Sequence, residues 1–388
     1  MTQETLIMSS SLYIHVPYCR RRCIYCDFYS AGARQADWDR LAEALLNEFS
    51  LRRGELTGQL RTLYLGGGTP SMIPRRIMKR MMDGIFERMG AENVAENPEI
   101  TLEINPEDVD EEAVGIWKEA GVNRVSVGLQ SFSDEVLRRI GRLHSSAMSR
   151  DALETLVRNF DNVSGDLIFG LPGQTPEILK TDIDTLLGYS PQHVSVYSLM
   201  YEEHTALTVL RDSGRMEEAS ETDSGEMYRY ISARLKDAGY RHYEISNYAK
   251  PGYESRHNSG YWTGRQYLGL GPSAHSYDGL RTRRANPADV RGYLAHFLDA
   301  GKRKEPFYTY ETLTEEERLE ERVMLALRMR DGIDLPAFSR DFGERALKSL
   351  LKKAVISMKA GLLVRDGDTL RLTDEGVMVA DNVIVGLI

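Results

Sequence analysis

Three cysteines within eight residues constrain this chain more than any other feature of its sequence. Cys19, Cys23 and Cys26 are the only cysteines among 388 residues, and their spacing is C-x3-C-x2-C. Three soft thiolates in one short loop suit three irons of a [4Fe-4S] cluster and leave the fourth iron without a protein ligand. The spacing therefore predicts a metal centre with one open position, as in catalytic metal sites.

Three other interpretations of the cysteines are open. A structural zinc site normally has four Cys or His ligands, with His15 as the candidate fourth, but His15 lies in a predicted strand and is expected to point into a core. A disulfide framework leaves one of three thiols unpaired. Free cysteines are often small buried apolar residues, yet packing does not require all three beside Arg20, Arg21 and Arg22, whose charges favour thiolates. The cluster is the preferred interpretation.

Strand-like and helix-like segments alternate after the cysteine loop. The predicted strands are Leu12–Val16, Thr62–Leu65, Glu99–Ile104, Arg124–Gly128, Val163–Ile168 and His193–Ser198. The predicted helices are Trp38–Arg53, Arg75–Met89, Glu111–Ala120, Ser133–Ile140, Met148–Asn159 and Pro176–Leu187. This alternation predicts an α/β fold with a parallel sheet covered by helices, either an open doubly wound sheet or a partial barrel.

Polar residues and glycines recur where these strands end. They are the cysteine loop, Gly66 to Pro70, Glu103 with Asn105, Gln130 with Ser131, Asp166 ahead of Gly170 to Gly173, and Tyr197 to Met200. Active sites of parallel α/β folds lie beyond the carboxyl ends of the strands. The sequence therefore predicts one binding mouth to which most of the strands contribute.

The sequence predicts two domains. Residues 1–305 form the first domain, in which the turn-rich part from about 200 to 305 is expected to close the mouth, and residues 306–388 form a second domain. Thr314 followed by Glu317 predicts a capping box that begins a helix. Two helices and a hairpin follow, predicted at Leu335–Phe342, Glu344–Ala360, Leu362–Arg365 and Thr369–Thr373. Helices followed by a hairpin indicate a small winged-helix-like domain.

Charge and hydropathy exclude several classes of function. The net charge is −9, and residues 311–388 hold 12 basic against 15 acidic side chains, whereas nucleic-acid binding needs a basic footprint. The N-terminus lacks the basic and apolar parts of a signal peptide, and no apolar run approaches the roughly 18 residues of a membrane span. We expect a cytoplasmic protein with no integral membrane segment and no nucleic-acid partner.

Three motifs in this order resemble the radical S-adenosylmethionine (SAM) enzymes: C-x3-C-x2-C after the first strand, GGGTP after the second and E-x-N at the third. The resemblance implies a partial (β/α)6 TIM-like barrel in which SAM binds the open iron and is cleaved reductively. The longer segments LYIHVPYC, LYLGGGTPS, VSVGLQSF, GDLIFGLPGQT and HNSGYW are similar to the oxygen-independent coproporphyrinogen III oxidase family.

Two groups of that family differ at positions that can be compared directly with this sequence. The dehydrogenase group carries a fourth cysteine two positions after the third and a longer leading segment, whereas this chain has Phe28 there and 18 residues before Cys19. The chain resembles the HemW-type heme chaperone group, which shares the H-N-x-x-Y-W motif, present here as His257, Asn258, Tyr261 and Trp262.

The resemblance also implies site residues. Positions that match SAM contacts, some of them in a second SAM site of the dehydrogenase group, are Tyr13, Gly67, Gly68, Thr69, Glu103, Gln130, Arg142 and Asp166; Tyr25 keeps an aromatic ring against the cofactor. The alternatives are buried structural carboxylates at Glu103 and Asp166, a satisfied core amide at Gln130, and a solvated helix-end charge at Arg142.

His257 is the main candidate for binding heme, because imidazole is the commonest axial ligand of heme iron. Tyr261 and Trp262 offer flat apolar surface beside it, and His275 is a second candidate. Against this, a lone histidine is more often a hydrogen-bonded structural residue than a ligand.

The preferred function is a heme chaperone that passes heme to an acceptor protein. The alternative is an oxidase that decarboxylates porphyrinogen propionates with SAM and a reductant such as flavodoxin or ferredoxin. A third possibility is an adaptor that acts through the C-terminal domain alone.

Overall fold

The computed structural model describes residues 9–33, 36–299 and 306–388, and six parallel strands form its centre. They are β1 Ser9–Val16, β2 Gln59–Gly67, β3 Val94–Ile104, β4 Arg124–Gln130, β5 Val163–Phe169 and β6 His193–Ser198. Each strand pairs in parallel with the next one along the chain. The six predicted strands are therefore confirmed, and their carboxyl ends lie at one edge of the sheet.

Further strands extend the sheet at both of its sides. Beside β6 lie β7 Arg241–Glu244 and β8 Asn247–Ala249, and beside β1 lie β9 Tyr267–Leu270, β10 His275–Tyr277, β11 Thr282–Ala285 and β12 Thr309–Thr312. The strands in the described part of the region from about 200 to 299 thus flank the central strands. β12 belongs to this sheet although it follows residue 305, where the sequence places the domain boundary.

Ten helices of the described first part of the chain surround the strands. They are α1 Trp38–Arg52, α2 Arg75–Met89, α3 Glu111–Glu119, α4 Asp134–Arg139, α5 Ser146–Asn159, α6 Pro176–Tyr189, α7 Ala206–Asp212, α8 Glu221–Asp237, α9 Arg256–Trp262 and α10 Val290–Leu298. Side-chain oxygens of Asp37, Asp110 and Thr175 accept backbone N–H groups in the first turns of α1, α3 and α6. Each such cap stabilises its helix by about 1 kcal/mol.

The central strands curve around a polar interior. One cavity is lined by side chains from five of them: Tyr64 of β2, Glu103 of β3, Ser126 of β4, Asp166 of β5 and Tyr197 of β6. A flat sheet does not bring five consecutive strands to one cavity, so the open doubly wound alternative is wrong. The fold is a partial (β/α)6 barrel with its apolar core between strands and helices.

The C-terminal residues form a second apolar core. Their elements are α11 Glu315–Arg328, β13 Ile333–Asp334, α12 Leu335–Lys359, β14 Leu363–Asp366, β15 Thr369–Leu372, α13 Asp374–Met378 and α14 Ala380–Val385. The capping box of Thr314 and Glu317 is present at the start of α11. Gly343 has a φ of 86° inside α12, where the sequence separates two helices. The three short strands pair as the wing of a winged-helix-like domain.

No helix within the described ranges is both long enough and apolar enough to cross a membrane.

Candidate functional site

The carboxyl ends of the central strands surround a cavity of about 390 Å³. Most of the predicted site residues line it together: Cys19, Cys23, Tyr25, Cys26, Gly67, Gly68, Thr69, Glu103, Gln130, Arg142 and Asp166. Tyr13 and His257 are not among the described residues that line this cavity. The mouth predicted from the strand ends therefore exists, and two predicted site residues, Tyr13 for SAM and His257 for heme, lie outside its lining.

Backbone hydrogen bonds hold the cysteine loop at this cavity. The Ile24 N–H donates to the Ile140 carbonyl at 3.3 Å, at the end of α4, and the Leu207 N–H of α7 donates to the Ile24 carbonyl at 2.8 Å. The Cys26 N–H donates to the Cys23 carbonyl at 3.2 Å, which closes a tight turn between these two cysteines. The loop is thereby attached to two different helices.

The three cysteine thiols are free and half-buried. The Thr69 hydroxyl donates to Cys19 Sγ at 3.2 Å, and Arg142 Nη1 lies 3.7 Å from Cys23 Sγ. Burial raises the pKa of the Cys26 thiol. Within the described residues no three Cys, His, Asp or Glu side chains converge on a single-ion site, whereas in a [4Fe-4S] cluster each thiolate holds its own iron. Three soft donors beside a cation fit such a cluster.

The glycine loop after β2 packs directly on the start of the cysteine segment. The Gly68 N–H donates to the Val16 carbonyl and the Thr69 N–H to the Tyr18 carbonyl, both at 2.8 Å. A Cβ atom on Gly68 would lie 2.5 Å from the Tyr18 carbonyl oxygen, and Gly67 has a φ of 107°. Only glycine allows this approach and this backbone conformation, so the GGGTP motif forms one wall of the cavity.

Two carboxyl groups lie on the inner wall of the cavity. Glu103 accepts hydrogen bonds from the Tyr64 hydroxyl at 2.9 Å and from the Gly67 N–H at 3.0 Å, and burial raises its pKa to about 7. Asp166 accepts a hydrogen bond from the Ser126 hydroxyl at 2.7 Å, and burial also raises its pKa. A cationic ligand in this cavity would favour the ionised form of both groups.

Gln130, at the end of β4, and Arg142, in the segment after α4, both face the cavity. Arg142 donates to Asn105 Oδ1 at 2.8 Å and to the Gly128 carbonyl at 2.7 Å, so it is not a solvated helix-end charge. Gln130 has a φ of 61°, which is uncommon for a residue other than glycine. Its buried Oε1 has no hydrogen-bond partner among the described residues. An unpaired acceptor in a cavity wall is available to a ligand.

The two tyrosines predicted to contact SAM have different surroundings. The Tyr25 ring lines the cavity. Tyr13 lies deeper in the barrel, where its hydroxyl is 3.1 Å from His15 Nδ1 and its ring centroid 6.1 Å from that of Tyr64. His15 Nε2 is 2.9 Å from the Tyr29 carbonyl, so both ring nitrogens of this histidine have partners inside the fold.

His257 occupies the floor of the barrel. Only 1% of its surface is exposed. Its Nδ1 lies 2.8 Å from Thr62 Oγ1, its Nε2 lies 2.8 Å from the Tyr261 hydroxyl, and its ring stacks on Tyr64 at 4.9 Å. Burial lowers the pKa of His257 to about 3. Neither nitrogen is free in this conformation, and heme ligation by His257 stays a prediction.

The rest of the H-N-x-x-Y-W motif joins two parts of the fold. Asn258 lines the cavity, and the Arg328 guanidinium of α11 lies 5.8 Å from the Trp262 ring centroid. Ser126 and Glu107 also line the cavity and were missed by sequence reasoning. The signal for Ser126 is the alternation along β4, which turns it inward together with Gly128.

The chain is similar to known proteins over nearly its whole length. The radical SAM superfamily matches residues 13–186, and the HemN C-terminal domain matches residues 313–379. The heme chaperone HemW of Lactococcus lactis subsp. lactis is 34% identical over 96% of this chain and 96% of that protein. The heme chaperone HemW of Bacillus subtilis is 36% identical over 96% of this chain and 97% of that protein.

A solved structure shows the same fold. Coproporphyrinogen III oxidase (HemN) from Escherichia coli, a radical SAM enzyme, superposes with a TM-score of 0.81 and 22% sequence identity. The match covers 98% of this chain and 90% of that one. At this identity the likeness supports the architecture, both of the barrel and of the C-terminal domain.

Proposed function

The chain belongs to the HemW family of radical SAM proteins, and from this membership we propose that it is a heme chaperone, which binds heme and transfers it to an acceptor protein. The observation that carries the proposal is its similarity to curated heme chaperones over nearly the full length of both chains. Phe28 supports it, because the dehydrogenase group has a further cysteine at this position.

The residues at the mouth fit a [4Fe-4S] cluster and one SAM molecule. Cys19, Cys23 and Cys26 would hold three irons, and the fourth would be open to SAM. When bound, the cluster and SAM together supply one-electron chemistry. The cavity volume of about 390 Å³ lies near the small end of the range for ligand pockets, so we propose one SAM site rather than two.

Each wall of the cavity would make a different contribution to SAM binding. The Gly67 and Gly68 backbone allows close approach, and Glu103 and Asp166, once ionised, would attract the cationic groups of SAM. The unpaired Oε1 of Gln130 can accept a hydrogen bond from the ligand. Thr69 and Arg142 would hold the cysteine segment in place, and the Tyr25 ring would lie against the cofactor. Tyr13 would act indirectly, by supporting the inner wall.

The partners of the chaperone are proposals of the same kind. The acceptor would be an apoprotein that lacks its heme, and the reductant of the cluster would be a flavodoxin or ferredoxin. Location in the cytoplasm stays a prediction from the sequence. Coproporphyrinogen decarboxylation is the competing function, and it is favoured only by the shared barrel architecture.

Heme titration into anaerobically reconstituted protein tests the proposal. We expect a saturable change in the heme Soret band at one heme per chain, followed by loss of that band from the chaperone when an apo-hemoprotein is added. No spectral change with the unmodified protein would contradict the proposed function.

A further inference from the structure

Exposed apolar side chains border the mouth of the cavity. Phe28 is 66% exposed, Leu143 47% and Tyr197 41%, and all three line the cavity. Single exposed apolar residues are normal on any protein surface. Three of them around one opening form an apolar rim, and such patches mark binding sites. These three side chains are the apolar rim.

The volume of the cavity limits what can enter behind this rim. A pocket of about 390 Å³ is near the lower end of the range of roughly 300–1,000 Å³ that holds one drug-sized ligand. SAM on the cluster would fill it. A porphyrin present at the same time must therefore lie across the mouth, where its flat apolar face would cover the rim.

Positive charge beside the apolar rim favours those apolar ligands that also carry negative charge. Arg21 and Arg22 line the cavity and are exposed. Arg20 next to them is paired with Asp108, and Arg22 Nε donates to the Cys26 carbonyl at 3.1 Å. The Arg21 guanidinium has no ion pair within the part of the chain that the structure describes. An unpaired guanidinium suits a carboxylate, and the porphyrin of heme carries two propionates.

An exposed histidine lies on the segment that connects Tyr197 of the cavity wall to a residue bonded to the cysteine loop. Of the eight histidines, only His204 and His275 are exposed. His204 belongs to the connection between Tyr197, which lines the cavity, and Leu207, whose N–H binds the Ile24 carbonyl of the cysteine loop. Its φ is 68°, a sparsely populated conformation for a non-glycine residue, and such strain clusters at ligand clamps.

We propose that heme docks across this mouth, with one face on the apolar rim, its propionates at Arg21 and Arg22, and its iron ligated by His204. The inference rests on the proposed function, since it identifies where the transferred heme is held. The neutral imidazole donates a lone pair to the iron, so no electron or proton changes hands. The site lies on the outer side of SAM and differs from the buried His257.

Heme titration of full-length variants tests the apolar rim and the cation. Phe28→Ser should weaken heme binding about 10-fold, because the aromatic face that docked heme would bury is lost. The matched control Leu280→Ser, at a position 68% exposed, should not change it. Arg21→Gln should weaken binding about threefold, with Arg345→Gln, another exposed arginine, as control. Unchanged affinity in both Phe28→Ser and Arg21→Gln would overturn the docking site.

The iron ligand is tested by the spectrum of the bound heme. His204→Ala should remove the imidazole signature from the Soret and visible bands, and His275→Ala should leave it intact. Loss of that signature in His275→Ala or in His257→Gln, with His204→Ala unaffected, would overturn the assignment. Heme should also slow the release of labelled SAM from reconstituted protein. Unmodified protein that binds no heme contradicts the proposed function itself, whereas binding that ignores these variants contradicts only the location.

Discussion

The cysteine loop and helix α9 both carry conspicuous motifs, yet the structure gives them opposite surroundings. The cysteine loop lies beyond the end of β1, and its three thiols are half-buried around an open cavity. His257 of α9 lies on the barrel floor, where Thr62 and Tyr261 occupy both of its ring nitrogens. A motif therefore identifies residues that matter, and the place of those residues relative to the strand ends decides whether they reach a ligand.

The Tyr64 ring connects the wall of the cavity with the barrel floor. Tyr64 donates its hydroxyl to Glu103 at 2.9 Å on the cavity side and stacks on His257 on the floor side. His257 thus supports the inner wall of the SAM cavity from below. In this conformation His257 has a structural role.

The largest effect is expected in the cysteine loop. Cys19→Ala should reduce the iron content of reconstituted protein from about four atoms per chain to near zero, because two thiolates cannot hold the cluster. The free energy of unfolding of the cluster-free protein should change by less than about 1 kcal/mol, since the side chain is only half-buried. Iron analysis and chemical denaturation measure the two quantities.

Phe28→Ser in the same loop is the control for cluster assembly and should retain its iron. A Cys19→Ala variant that keeps a full cluster would contradict the assignment of the cysteine loop as the cluster-binding region.

The second effect concerns the barrel floor. His257→Ala should lower the free energy of unfolding by about 3 kcal/mol, because it leaves a cavity and two buried hydroxyls without a partner. Its heme affinity should stay within about twofold of the unmodified protein. Urea denaturation and heme titration check both statements.

His204→Ala is the matched exposed histidine, with an expected change in unfolding free energy of less than about 1 kcal/mol. Full stability of His257→Ala together with lost heme binding would contradict the structural role of His257 and would assign heme binding to the barrel floor.

The smallest effect is a pH dependence at Glu103, where the two regions meet. Burial raises the pKa of this carboxyl from 4.5 to about 7, so the unliganded protein holds it protonated at acid pH and loses stability from this group as the pH rises between those values. A cationic ligand prefers the ionised form. SAM affinity should therefore increase at most about 10-fold between pH 6 and pH 8.

Glu103→Gln cannot ionise, so its SAM affinity should be flat over the same pH range in equilibrium dialysis. An identical rise in this variant would assign the pH dependence to another group.

Sequence reasoning identified the parts of the fold that local patterns determine. The six central strands, the capping box at Thr314 and the break near Gly343 all follow from periodicity and local chemistry. The attachment of β12 to the main sheet is a pairing with Thr282–Ala285, a distant strand that no local pattern reveals.

The same limit applies to the site. Residues directly after strands, such as Glu103 and the cysteines, could be placed at the mouth because parallel strands end at one edge. The burial of His257 depends on Thr62 and Tyr64, which lie almost 200 positions earlier in the sequence. The role that we propose for His204 rests on its exposure and its left-handed backbone, neither of which the sequence states.

The most direct test of the central claim offers reconstituted protein, SAM and a reductant to heme and to coproporphyrinogen III in parallel anaerobic reactions. We predict one tightly held heme per chain and no loss of carboxyl groups from the porphyrinogen. Release of carbon dioxide from coproporphyrinogen III without retention of heme would contradict the account and identify the protein as an oxidase.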